Sequence, residues 1–293
     1  MRVFVTGGTG LVGSAVVAEL LGHGHTVIAL ARSDASAEAL AAAGAEHLRG
    51  ALSNLDVLRA GAAEAEGVIH LAFANDFSSP EALTQAVAEE SAALATLGGA
   101  LVGTDRPLVT VSGTPYVPGR ASTEDDPVST DGPVGGRARS VTAVIDLATR
   151  GVRSSAVRLP RTVHNHGNGG FAGLLTNIAR QTGIVGYPSH GDQRWPAVHA
   201  LDAAVLFRLA LESAPAGTSW HAVADEGDRV RDIAEVIGRR LGLPAGSVPE
   251  ETYGPLGPIF ATDQPSTSAR TREALGWDPT HPSLLEDLEN IRP

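Results

Sequence analysis

The sequence predicts an α/β fold, a doubly wound parallel sheet followed by a smaller C-terminal domain. Three observations predict it. Short β-branched runs alternate with helical stretches through the first half of the chain, a glycine-rich turn joins the first strand to the first helix, and the alternation stops after Pro160. Short apolar strands separated by amphipathic helices mark βαβ units, which close into parallel sheets through right-handed crossovers.

Taken in order, strand-like runs are RVFVTG at 2–7, HTVIALAR at 25–32, AEHLRG at 45–50, GVIHLAF at 67–73, PLVTVSG at 107–113 and VRSSAVRLP at 152–160. Leu11, Ala15, Val16 and Leu20 share one face of a first helix, the Ala-rich stretch 33–46 reads as a second, and 80–101 and 137–150 are helical in period. Past 160 the chain is loop-rich (HNHGNGGF), regains helical character at 171–182 and 200–213, and ends in short elements punctuated by Pro and Gly. The expected division is 1–160 and 161–293, interdigitated, with 197–213 returning to the first part.

At 293 residues and 43% hydrophobic, the chain can bury a full core in one large or two unequal domains. The absence of cysteine excludes disulfides, thiolate nucleophiles and Cys-based zinc sites. A net charge of −11 argues against general nucleic-acid binding, because neutralising phosphates needs a positive face. Met1 opens directly onto a strand-like run, without a basic stretch leading into an apolar segment and a cleavage site, and no apolar run reaches membrane-spanning length. A cytoplasmic protein is expected, with a small molecule as its partner, neither nucleic acid nor membrane, and a homodimer compatible with that reading. All 22 basic residues are Arg; the chain has no lysine.

The turn TGGTGLVG sits between an apolar strand and an amphipathic helix. A helix that starts straight after a parallel strand exposes unpaired N–H groups and the positive end of its dipole, a site for phosphate if the backbone can come close. Gly7 permits the tight turn, Gly10 removes a Cβ from the phosphate's path, and Gly13 lets the helix approach the strand. The expected ligand is a dinucleotide pyrophosphate held around Thr6, Gly7, Thr9, Gly10, Leu11, Val12 and Gly13. The second strand ends Ala31–Arg32–Ser33, where a carboxylate would grip a free ribose diol. Arg instead suits a 2′-phosphate, so NADP(H) is favoured over NAD(H). Arg32, Ser33 and Leu52 join the expected cofactor-binding set.

TGGTGLVG fits the spacing TGxxGxxG, and with GVIHLAF, LVTVSGTPYVPG and the tail TREALGWDPTHPSLLEDLE the chain resembles the extended short-chain dehydrogenase/reductase superfamily, in its NAD(P)-dependent epimerase/dehydratase-like form. The likeness spans essentially the whole chain. It implies a seven-stranded Rossmann sheet in a dinucleotide-binding domain over 1–160 and a mainly substrate-binding domain over 161–293. It also implies that Leu71, Ala72 and Phe73 lie beside the cofactor, with Pro160 and the 160–166 segment near the nicotinamide.

The resemblance fails at the chemistry. Most members pair a Tyr with a Lys four residues later, the Lys lowering the phenol pKa while the Tyr shuttles the proton that accompanies hydride transfer. Here the helix reads GPVGGRARSVTAVIDLA, with Gly136 and Ser140 at those positions and Arg137 and Arg139 nearby. Arg is bulkier than Lys and does not readily give up its proton. The family's Ser or Thr after the fifth strand aligns with Gly113, between Ser112 and Thr114. Ser112 and Thr114 are assigned to polarising the substrate and Tyr116 to donating the proton, against the competing reading of Tyr116 as a packed loop residue. His164 and His166 are the second choice of acid, and ordered water the fallback. The HxH pair lacks further ligands in the sequence, so no metal site is expected. His70 reads as a core histidine, Trp195 and His199 as structural or pocket-lining, and Asp76 and Phe77 as substrate contacts. The expected function is an NADP(H)-dependent oxidoreductase reducing a carbonyl or related C=X group of a small molecule. The alternatives are a non-catalytic NADP(H)-binding redox sensor or regulator, and an epimerase- or dehydratase-type enzyme.

Overall fold

A computed structural model describes residues 1–74, 79–131 and 135–292. The first half follows the alternation: β1 (Arg2–Thr6), α1 (Leu11–Gly22), β2 (Thr26–Ala31), α2 (Asp34–Ala42), β3 (Glu46–Arg49), α3 (Leu55–Glu64), β4 (Gly67–His70), α4 (Pro80–Leu101), β5 (Pro107–Gly113), α5 (Gly135–Ile145) and β6 (Arg153–Leu159). One helix of this half, α3, escapes the sequence reading. Its segment LDVLRAGAAE buries Leu58, Gly61 and Ala62, and small residues on the buried face hide the apolar period.

The second half adds β7 (Thr162–His164), α6 (Gly170–Thr182), β8 (Val185–Pro188), β9 (Arg194–His199), α7 (Ala200–Ser213), β10 (Thr218–His221), β11 (Asp225–Arg229), α8 (Val230–Leu241), β12 (Ala245–Val248), α9 (Gly257–Ala261), α10 (Ala269–Leu275) and α11 (Leu284–Leu288). The central sheet has seven strands in the order β10-β6-β5-β4-β1-β2-β3, every neighbouring pair parallel. Its outermost strand, β10, is four residues long and follows α7, so the chain re-enters this sheet after leaving it at β6. The remaining strands form a small sheet, β11-β9-β7, and the pair β12-β8.

Alternation along β1 divides the core between the two faces of the sheet. Val3 and Val5 join Val16 and Leu20 of α1 with Phe207 and Leu211 of α7, whereas Phe4 joins Leu58 of α3 with Leu94, Leu97 and Leu101 of α4. Arg208 ties α7 to α1 by an ion pair with Glu19 at 2.7 Å. A separate cluster of Leu175, Trp195, Ile233, Ile237 and Phe260 organises the second half. Among the described residues, no helix is long and apolar enough to cross a membrane.

The β1–α1 junction is the tightest approach of helix to strand. A Cβ on Gly13 would lie 1.9 Å from the Gly7 carbonyl oxygen, while a Cβ on Gly10 would meet nothing nearer than 3.6 Å. Gly13→Ala is expected to lower stability by about 1–3 kcal/mol through overpacking, and Gly10→Ala by less than about 1 kcal/mol. Urea unfolding of the two variants checks this, and equal losses would refute the distinction.

Candidate nucleotide groove and active-site edge

The glycine turn lies at the carboxyl edge of the sheet. Gly7 adopts φ +76°, and a Cβ there would come 2.8 Å from the Ala72 nitrogen, so both conformation and the neighbouring β4 end demand glycine. Gly10 caps α1 with no side-chain hydrogen bond, and the first turn of α1 carries no acidic residue. The helix therefore presents free N–H groups and a positive dipole end without an internal anion to occupy them.

A groove of about 510 Å³ runs from this turn across the ends of β2 and β3 to the end of β4. Gly7, Thr9, Gly10, Arg32, Leu52, Leu71, Ala72 and Phe73 line it, all of them residues named from the sequence. Leu30, Ser36, Gly50, Ala51, Ser53, Ala74 and Glu89 also line it and were missed. Leu11, Val12, Gly13 and Pro160 fall outside the lining. Leu11 is exposed at the start of α1, Val12 packs against the core, Gly13 is buried beneath Gly7, and Pro160 is buried past β6.

Arg32 is exposed and has no carboxylate partner among the described residues; Asp34, two positions on, pairs with Arg49 at 3.0 Å instead. Ser33 is turned away from the groove by its helix. Its hydroxyl caps α2, accepting from the Ser36 backbone N–H at 3.2 Å, while the Ser36 hydroxyl accepts from the Ser33 N–H at 3.1 Å. Ser36 is thereby held in the groove wall, a reciprocal cap that the Ser–x–x–Ser spacing could have signalled. Thr6 is likewise internal. It is fully buried, its hydroxyl 2.9 Å from His70 Nδ1 and accepting from the Ala72 N–H at 3.3 Å, so it locks β1 to the end of β4.

At the next strand, Ser112 and Gly113 lie in register with Arg158 and Leu159 of β6, and the Thr114 N–H donates to the Leu159 carbonyl at 3.0 Å. The Thr114 hydroxyl is buried without a partner. Tyr116 stands 56% exposed beyond it. The edge thus gathers Ser112 and Thr114 and leaves Tyr116 in solvent.

On α5 a Cβ at Gly136 would lie 2.5 Å from Val87 Cγ1 of α4, so this position packs helix to helix and has no room for a tyrosine. The Ser140 hydroxyl donates back to the Gly136 carbonyl at 3.1 Å. Arg137 forks onto buried Glu90 at 2.7 and 2.8 Å and lies 3.9 Å over the Phe73 ring. Arg139 donates to the Thr130 carbonyl at 2.7 Å. Neither arginine occupies the role of the missing lysine.

The two histidines of the HxH run part company. His166 is exposed in a turn at φ +53°. His164 is 1% exposed, its Nδ1 2.9 Å from Asp287, which also accepts from the Gly167 N–H at 2.9 Å. His199 meets His164 edge-on at 5.3 Å and stacks on His281 at 4.9 Å. His164, His199 and Asp287 hold potential metal-ligand atoms within 4.8 Å of one another, a grouping invisible in the sequence because Asp287 lies on α11. The Asp287 oxygen nearest His164 is already occupied by two donors, and burial, then the neighbouring imidazoles, holds the His199 pKa below its ordinary value. Asp76 and Phe77 lie outside the described residues.

A parallel sheet with a glycine turn beneath a helix N-terminus and a groove at the strand ends defines a Rossmann-type nucleotide-binding architecture. The chain belongs to the NAD dependent epimerase/dehydratase family, whose profile matches residues 3–223, and so to the extended short-chain dehydrogenase/reductase superfamily. It is 42% identical over 294 residues to the uncharacterized protein C2A9.02 of Schizosaccharomyces pombe, covering 98% of each chain. It is 31% identical over 311 residues to a 3-diazoavenalumate denitrifying reductase of a Streptomyces species, covering 98% of this chain and 99% of that one. Among solved structures it resembles Pal from Bacillus thuringiensis with a TM-score of 0.81 at 18% identity, over 99% of this chain and 97% of that one.

His70 lies beneath this site. Burial, then the charge of Arg137, lowers its pKa from 6.5 to about 3. The unfolded chain binds a proton below 6.5 that the folded chain refuses, so this contribution is intact above that value and is lost as pH falls from 6.5 toward about 3. The expected slope is about 1.4 kcal/mol per pH unit from this group. Urea unfolding between pH 7 and pH 5 should show a shallower fall for His70→Asn than for the wild type; identical slopes would contradict it.

Proposed function

We propose that this chain is an NADPH-dependent reductase acting on a carbonyl or related C=X group of a small molecule. The observation that carries the reading is the pairing of Gly10, a glycine with no packing reason to be one, with Arg32, a cation with no carboxylate partner among the described residues, in the lining of one groove. The first leaves space for a pyrophosphate over the α1 N-terminus, and the second, with the Ser36 hydroxyl, suits a 2′-phosphate. The bound cofactor supplies hydride; the protein orients the acceptor and manages charge and proton.

The Ser112 hydroxyl and the unpartnered Thr114 hydroxyl hold the substrate's heteroatom and stabilise the negative charge that develops on it. Tyr116, on the exposed loop beyond β5, donates the proton in this reading. Epimerase and dehydratase chemistry fits less well, because the Tyr–Lys pair on which it relies is replaced by Gly136, packed on Val87, and Ser140. A full-length relative named as a reductase supports the reductive reading.

Titration is expected to show NADPH binding more tightly than NADH. Arg32→Ala should weaken NADPH by about 1–3 kcal/mol and leave NADH unchanged, while Gly10→Val should abolish binding of both with the fold retained. A wild-type preference for NADH overturns the assignment of the second strand's end. Consumption of NADPH against a panel of ketones, aldehydes and imines tests the chemistry. Tight binding without turnover on any of them would favour a redox sensor. With an active substrate, Tyr116→Phe should lose about 100- to 10,000-fold in kcat with NADPH affinity unchanged; a loss of only a few-fold moves the proton to solvent or to His164 and His166.

A further inference from the structure

Arg158 and Arg161, neighbours at the end of β6, each have a buried Nε with no acceptor among the described residues, but Arg158 donates to the Glu124 and Asp126 carbonyls and lies near the charges of Glu124, Asp125 and Asp126, whereas Arg161 does not. Arg137 forks onto Glu90, Arg208 bridges Glu19 and Glu212, and Arg194 forks onto Asp263. Arg153 donates to the carbonyls of Leu211 and Ala214, and Arg106 to those of Ala62, Ala63 and Ala65. Arg161 makes one hydrogen bond, from Nη1 to the Ile259 carbonyl at 2.8 Å. Its Nε is buried and has no acceptor, and among the described residues no carboxylate pairs with it. The group lies against aromatic rings, 5.3 Å from the centroid of Phe171 and 5.9 Å from that of Trp195. Burial alone pulls its pKa down to about 10. A desolvated cation with no counter-charge is costly to keep, and aromatic faces offset only part of that cost.

Its position says what the cost is for. Arg161 follows Pro160 at the carboxyl end of β6, two residues past Leu159, whose carbonyl accepts the Thr114 N–H. Ligands of doubly wound sheets bind outside the carboxyl ends of the strands, and Arg161 lies at that end of β6, beside the β5 end that carries Ser112 and Thr114. The Ile259 bond occupies Nη1 and leaves Nε and Nη2 without a carboxylate partner among the described residues, the side of a guanidinium that matches a carboxylate with two parallel hydrogen bonds, and a carboxylate seated there displaces whatever now covers the buried Nε.

We propose that Arg161 is a specificity residue that anchors a carboxylate of the substrate through its Nε–Nη2 edge, so that the substrates of this protein are organic acids. That Arg161 binds an anion follows from its own surroundings; that the anion belongs to a substrate rests on the reductase reading above. The cofactor's phosphates are the other source of an anion at this edge, and the two are separable by experiment.

Calorimetry on the whole chain, with and without NADP+, would measure binding of benzoate, cinnamate and phenylglyoxylate against their uncharged amides. The wild type is expected to prefer the acid by about tenfold or more in at least one pair. Arg161→Gln should erase that preference while NADPH affinity and the circular dichroism spectrum stay unchanged. Arg161→Lys, which keeps the charge and serves as the test should the Gln variant not fold, should lose most of the preference because an ammonium cannot make the fork. Absence of any acid preference in the wild type overturns the proposal, as does a preference that survives both substitutions. Loss of NADPH affinity in Arg161→Gln with the acid preference intact also overturns it and assigns the cation to the cofactor. A wild type that prefers the acids yet fails to bind NADPH upholds the anchor and refutes the reductase reading.

Discussion

The approach of α1 to β1 at the Gly7–Gly13 contact is the constraint on which the rest of the site depends. With no Cβ on Gly13 the helix begins directly over the strand end, and its N–H groups point into the groove and not into the sheet. The same contact sets the height of α1 above the sheet, against which α7 then packs through Arg208 and Glu19. Thr6 completes the arrangement from below by tying β1 to His70 and Ala72, so the groove floor at the end of β4 is held in register with the turn. Binding geometry and core packing are one structure here.

The chemistry has been rebuilt around a different set of charges. Where the superfamily places a tyrosine and a lysine, α5 offers a glycine packed on α4 and a serine bonded to its own helix. The positive charge that remains, Arg137, is neutralised by buried Glu90 and covered by Phe73. The Tyr–Lys pair is therefore absent from α5. Among the described residues Arg161, just past the end of β6, has no carboxylate partner.

The histidines illustrate how burial redirects residues that look chemical. His70 is enclosed and kept neutral, His164 is committed to Asp287, and His199 is pressed between two imidazoles. His70 and His164 each use Nδ1 inside the core, on Thr6 and on Asp287. His164, His199 and Asp287 bring β7, β9 and α11 together.

Local signals in the chain determined the parallel strands, the principal helices and the glycine turn, because periodicity, glycine spacing and strand-end residues act over a few positions. Gly7, Gly10, Arg32 and the Leu71–Phe73 run were legible for the same reason, each being defined by the strand it ends or the helix it begins. Tertiary structure alone decided the rest. The return of β10 to the sheet edge depends on α7 crossing first, and TSWH is too short to announce a strand. Ser36 displaced Ser33 in the groove because a reciprocal helix cap turned one inward and consumed the other. That no carboxylate among the described residues pairs with Arg161 could be seen only in the folded chain, since a counter-charge can come from anywhere in the sequence and only folding brings distant groups within hydrogen-bonding range.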